Sequence, residues 1–178
     1  DLVTIRLGNT GLRAAQNTLA DFDVDHAWQV IGAGDTDKDG DDDIILNSSS
    51  TGYVLIWEMH GHALVNTHTI GSKAGFTLNR IGDFNKDGQM DIVAGDLWYS
   101  APDWKPHELR KPGNYWAGVG SSNSFANWVY DINQDGWSDI IIAGFPGEPF
   151  HWYENPKGEE KHWAEHVIWH SICNESPQ

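Results

Sequence analysis

The chain has a single cysteine among its 178 residues, Cys173, so no internal disulfide can hold it together. No apolar run reaches the ~18 residues that a membrane-spanning helix requires. Basic residues are scarce as well: 11 Lys and Arg stand against 26 Asp and Glu, a formal net charge of −15. Nucleic-acid backbones and anionic membrane surfaces would repel such a chain, so neither is expected as a partner. Amphipathic helical stretches are few, and the best of them, Gly11 to Ala20, has neither a cap nor an apolar stripe. Nucleophile elbows, phosphate-binding glycine loops and zinc-protease histidine pairs are absent, and nothing around Cys173 marks it as an activated thiol. No catalytic residue is therefore assigned. The chain opens on Asp1 without a charged-then-apolar leader, and a processed protein or a segment of a longer one is expected.

What is present points to a packed all-β protein. The hydrophobic fraction of 39% with 12% aromatics is too apolar for a disordered acidic chain. Nineteen glycines and ten tryptophans suit short strands joined by tight turns better than long helices. Solubility outside the cytoplasm fits the charge, with metal ions as the expected staple in place of disulfides. The expected location is extracellular, at the cell surface, or periplasmic.

Self-comparison reveals the organising feature. Asp35 to Asp43, Asp83 to Asp91 and Asp131 to Asp139 superimpose without gaps, and their first residues are 48 apart both times. Each segment is followed by a β-branched run: Ile44-Ile45-Leu46, Ile92-Val93-Ala94 and Ile140-Ile141-Ile142. Each is preceded by a strand-like stretch: Trp28 to Ile31, Phe76 to Ile81 and Asn127 to Tyr130. Aromatic strands recur at Tyr53 to Trp57, Leu97 to Tyr99 and Phe150 to Tyr153, and further apolar stretches such as Ala63 to Val65 and His166 to Trp169 close the units. Four short strands per 48 residues is the period of a β-propeller blade, which must stack on neighbours to bury both faces. The pattern predicts an all-β propeller of four-stranded blades, about four blades' worth, within one region 1–178. Its approximate units are a partial blade at 1–26 and then 27–75, 76–123 and 124–178. One further period from 131 would fall at 179, and Asp1 to Ile5 reads like the end of such a loop and its following strand. Part of a larger propeller, with self-association or contact with flanking blades, is the expectation.

The nine-residue segments carry the chemistry. Oxygen-bearing side chains at positions 1, 3 and 5, a glycine at 6, a backbone carbonyl at 7 and a carboxylate at 9 are what a hard divalent cation requires. Position 12 is Leu46, Ala94 or Ile142, and the flanks are strands, so these are not EF-hands. No cysteine or histidine lies within a loop, which argues against zinc or copper there. Asp, Asn and Gly also form turns well, yet turn chemistry alone does not demand an acid at position 9 in all three loops. The loops resemble those of the FG-GAP/VCBS repeat family, the calcium-loop β-propellers that include integrin α-subunit heads and bacterial extracellular proteins. The resemblance covers nearly the whole chain and fits the bacterial branch better, since Ile31-Gly32-Ala33-Gly34 only faintly echoes the Phe-Gly element. It implies about three Ca²⁺ ions. Their ligands would be Asp35, Asp37, Asp39, Asp41 and Asp43 in the first loop, then Asp83, Asn85, Asp87, Gln89 and Asp91 in the second. Asp131, Asn133, Asp135, Trp137 and Asp139 would serve the third, with position 7 contributing its carbonyl in every case.

Other residues carry weaker signals. His162, His166 and His170 would share one helix face, but the surrounding sequence reads as an outer strand, and His60-Gly61-His62 reads as a turn. Trp57, Trp98, Trp128 and Trp152 are expected in blade-to-blade packing, while Trp104, Trp116 and Trp163 are candidate stacking platforms for sugar rings. The functional expectation is a calcium-stabilised extracellular module binding carbohydrate or protein. A propeller domain of a polysaccharide-active enzyme and a building block of a surface assembly are the alternatives. Three bound Ca²⁺ would still leave −9 of the formal −15. The chain is therefore expected to flow through a heparin column at about 0.15 M salt, and retention there would contradict the exclusion of polyanions.

Overall fold

The computed structural model describes residues 28–48, 52–70, 80–114 and 122–170. Within them the chain forms twelve strands in three four-stranded antiparallel sheets. The first sheet is β1 (Trp28–Gly34), β2 (Asp43–Ser48), β3 (Val54–His60) and β4 (Ala63–Ile70), hydrogen-bonded in that order. The second is β5 (Arg80–Gly82), β6 (Asp91–Ala94), β7 (Leu97–Ser100) and β8 (Lys105–Glu108). The third is β9 (Ala126–Tyr130), β10 (Asp139–Ala143), β11 (Phe150–Glu154) and β12 (Ala164–Trp169). Each is an up-and-down meander of the propeller-blade type, and no described residue is helical. The stretches Asp1 to Ile5, Gly11 to Ala20 and Phe76 to Asn79, together with Trp116 and Cys173, lie outside the described residues.

The second strand of each blade explains the stacking. β2 and β6 are buried on both faces, and all but one residue of β10 is buried. Such a strand reads as a continuous apolar run rather than an alternation. Side chains of opposite parity therefore serve different neighbours. Ile45 packs with Ile92 in the core between blades one and two, beside Val54, Ile56, Ile70 and Tyr99. Val93, one period after Ile45, packs with Ile140 and Ile142 between blades two and three, beside Phe84, Trp98, Leu109, Tyr153 and Trp163. Ile141 is the next member of that series, and it stays half-exposed on the far face of blade three.

Glycine sets how closely the first strands approach. A Cβ on Gly34 would meet Met90 at 2.5 Å, and one on Gly82 would meet Val129 at 2.8 Å. Both positions end the first strand of their blade, and the third blade carries Tyr130 there, 68% exposed. The seam between blades two and three is also tied by polar contacts. The half-buried Arg110 guanidinium donates to Asp96 Oδ1 at 2.7 Å, to the Tyr153 hydroxyl at 2.7 Å and to the Asn123 carbonyl at 3.1 Å. Across the same seam the Trp163 amide donates to the Leu109 carbonyl at 2.9 Å.

Candidate metal centres

The three nine-residue segments are the turns between the first and second strands of each blade. Their backbones coincide. Position 4 is left-handed in all three, with φ of 67° at Lys38, 59° at Lys86 and 59° at Gln134. Position 6 is left-handed too, at Gly40, Gly88 and Gly136 with φ of 92°, 86° and 86°. Two left-handed residues in three curl the chain tightly; the glycine has no Cβ to strain, whereas Lys and Gln bear a modest cost.

That curl aims backbone N–H groups at the side chains of positions 1, 3 and 5. The glycine amide donates to position 1: Gly40 to Asp35 Oδ2 at 3.2 Å, Gly88 to Asp83 Oδ2 at 3.0 Å and Gly136 to Asp131 Oδ2 at 2.8 Å. The position-5 amide donates to position 3: Asp39 to Asp37 at 3.0 Å, Asp87 to Asn85 at 2.9 Å and Asp135 to Asn133 at 3.1 Å. The position-7 amide donates to position 5: Asp41 to Asp39 at 2.8 Å, Gln89 to Asp87 at 2.8 Å and Trp137 to Asp135 at 2.9 Å. The position-1 carboxylate is held at both oxygens, its Oδ1 accepting the Lys38, Asp87 or Asp135 amide at 2.6, 3.1 and 3.1 Å, and each accepting oxygen keeps a second lone pair that could serve a cation. In the first loop, oxygens of Asp35, Asp37 and Asp39 lie within 4.8 Å of one another. Those three carboxylates have the chemistry that a hard oxygen-seeking cation fits.

The position-9 acids differ from the rest. Asp43, Asp91 and Asp139 are fully buried, with 0% exposure each. One oxygen accepts the position-2 amide: Thr36 at 2.9 Å, Phe84 at 2.9 Å and Ile132 at 3.1 Å. The Thr36 hydroxyl adds a second bond to Asp43. The other oxygen accepts an amide at the far end of the third strand: Met59 at 2.8 Å, Ala101 at 3.0 Å and Asn155 at 2.9 Å. These acids lock each loop to its blade, and any metal role would come on top of that. Burial pushes the Asp91 carboxyl up to about 7, overcoming the lowering effect of the Ala101 and Phe84 amides. Burial raises Asp43 and Asp139 in the same direction.

The position-7 side chains of the second and third loops reach to the preceding loop. The Gln89 amide donates to the Thr36 carbonyl of the preceding blade at 2.6 Å, and Lys86 sits 4.6 Å from the Trp137 ring centroid. A parallel tie runs from Asn155 Nδ2 to the Phe84 carbonyl at 2.9 Å. Each position-5 acid also faces a basic group. Lys38 lies 3.9 Å from Asp87, and Lys157 lies 3.1 Å from Asp135. At Asp39 the basic group is His60, whose Nδ1 is 3.0 Å away. That contact raises the His60 imidazole and holds the exposed Asp39 carboxyl below its ordinary range. Sequence reasoning placed His60 in a turn without linking it to Asp39. Only the pairing of β2 with β3 brings the two together.

His162 and His166 form separate pairs. His166 lies on β12, stacked on Trp152 and 2.9 Å from Glu154, whereas His162 faces Glu108 at 2.7 Å. Among the tryptophans, Trp98 packs between blades as expected. Trp57 packs among blade-one residues, and Trp128 stacks on Phe150 of its own blade. Trp163 is no platform: it is 5% exposed and packs edge-on against Phe84. Trp104 is half-buried against the first inter-blade core. Among the described residues the most exposed aromatics are instead Tyr130 and Trp169, at 68% and 69%.

Residues 35–94 match the family model of the FG-GAP-like repeat. The match runs from the first loop through β6, and the third loop shares the same backbone and hydrogen bonds. No curated protein and no solved structure matches the chain significantly.

The raised carboxyls set a pH dependence with a defined sign. A folded-state pKa above the unfolded 3.8 contributes stability below 3.8 that is lost as pH rises through about 7. Metal-free protein is therefore expected to show denaturant midpoints that fall across that window, and a flat profile would contradict the burial of an uncompensated Asp91.

Proposed function

We propose that the chain is a calcium-stabilised β-propeller-type module of an extracellular or cell-surface protein, and that it binds a carbohydrate or protein ligand. The observation that carries this reading is the threefold repetition of one loop geometry, with tethered oxygen side chains at positions 1, 3 and 5. Twelve of the 26 acidic residues lie in these three loops, and their mutual repulsion opposes folding unless cations offset it. Asp35, Asp37, Asp39 and their counterparts would hold the ions, whose charge would also stabilise the buried position-9 carboxylates. The ions' contribution is structural: they neutralise the acids and pin the first two strands of each blade.

Calcium dependence of melting tests the first half. Binding to the native state alone at ~100 times the dissociation constant adds about 2.7 kcal/mol per site. The melting midpoint is expected to drop on chelation, and Asp39→Ala should lower it in calcium more than Asp42→Ala, because Asp42 is exposed and outside the ligand positions. An unchanged midpoint on chelation would remove calcium as the staple.

For the ligand, the far face of blade three is the supporting surface. Trp128, Ile141, Trp152 and His166 form one cross-strand row, and Phe150 pairs with Trp169 beside it. This face corresponds to the one that blade two turns toward blade three. At Tyr130, however, a phenol stands where the other blades have glycine, so a further blade packed the same way would collide with it. Exposed aromatic faces suit apolar sugar faces or an apolar protein side chain. Glycan-array binding that Trp169→Ala and Tyr130→Ala abolish is the expected result. Absence of glycan binding together with concentration-dependent sedimentation would transfer the face to another blade or a second copy.

A further inference from the structure

The first loop differs from the other two where its position-5 carboxylate meets its basic partner. Loops two and three offer that carboxylate a fixed ammonium, Lys38 for Asp87 and Lys157 for Asp135. Loop one offers an imidazole and adds a second acid, because position 7 is Asp41 where the others have Gln89 and Trp137. The His60 Nδ1 lies 3.0 Å from Asp39 Oδ2 and 3.5 Å from Asp41 Oδ2. All three donor atoms fall within 4.8 Å of one another. Backbone amides hold both carboxylates in place: Asp41 N donates to Asp39 Oδ1 at 2.8 Å, and Gly61 N donates to Asp41 Oδ2 at 2.8 Å. The tight His60-Gly61 turn, with Gly61 at φ 61°, brings the ring over the loop from a strand pair away.

We propose that Asp39, Asp41 and His60 form a second kind of cation site, one that takes a borderline divalent transition metal such as Zn²⁺ or Co²⁺. Ligand atoms around such an ion, bonded at about 2.1 Å, stand roughly 3.0–3.4 Å apart, close to the two spacings from the imidazole nitrogen. A neutral imidazole with two carboxylates carries two negative charges, which a divalent ion balances and a single proton on His60 does not. The nitrogen donor sets the selectivity: calcium takes oxygen ligands, whereas imidazole with carboxylate suits zinc and its neighbours. Water completes the shell, since the His60 side chain is 72% exposed. The site shares Asp39 with the first loop but does not depend on calcium being the ion held there.

Cobalt titration of the tag-free chain in saturating calcium, followed by visible d–d absorption, tests the assignment. One saturable equivalent is expected. His60→Ala and Asp41→Asn should each weaken it at least tenfold, the lower end of what even a lost outer-shell partner costs a metal site. His62→Ala, in the same turn, should leave binding unchanged. The calcium-dependent melting shift of His60→Ala, read in parallel, should match that of the unaltered chain, which separates this site from the calcium reading. No saturable cobalt signal, binding by His60→Ala as tight as that of the unaltered chain, or loss of binding in His62→Ala would each overturn the proposal.

Discussion

A fully buried carboxylate at the end of each acidic loop is the constraint on which the rest of the structure depends. Asp43, Asp91 and Asp139 each accept amides from the start of their own loop and from the far end of the third strand. A carboxylate without water has to be paired with donors, and four lone-pair directions are enough to join three separate stretches of backbone. Strand two begins at that residue in every blade, so the same group fixes where the loop ends and where the sheet begins. Removing water from an acid is costly, and the upward displacement of all three carboxyls records that cost.

From this anchor the blades acquire a direction. Each loop leans on the next through its neighbour's amide side chain, Gln89 onto the Thr36 carbonyl and Asn155 onto the Phe84 carbonyl. Glycines at Gly34 and Gly82 let the first strands close up, and the two apolar cores fill the space behind them. At the opposite end of the second seam, Arg110 spans Asp96, Tyr153 and Asn123 in a half-buried polar bridge. Polar ties at both ends and an apolar middle specify one relative placement of two blades, because a slip would strand charged groups without partners. The far face of blade three has the same apolar row but ends in Tyr130, so it offers aromatic surface rather than another close seam.

The repeat was legible because its chemistry is local. Nine residues with acids at fixed offsets, a glycine at position 6 and a β-branched run afterwards determine a turn and a following strand without help from elsewhere. The FG-GAP-like repeat match over residues 35–94 and the three four-stranded sheets agree with that reading. The tryptophans were less legible. Trp163 reads as a loop residue in sequence, yet it is buried because the connection carrying it folds back over the seam and bonds to Leu109. Exposure at Tyr130 and Trp169 depends on whether a neighbour covers that face, which no local pattern records.

The spacing of 48 and the composition of the loops determined by themselves that this is an all-β repeat protein with acid-lined turns. The tertiary structure alone decided which acids are buried anchors and which stay open to a cation, because both kinds are aspartate and only packing separates them. It also decided that His60 meets Asp39 and Asp41, since that contact depends on the pairing of Ile44 with Trp57 and the turn beyond it. Strand register carries such information across 21 residues of chain, and it exists only once the hairpin has formed.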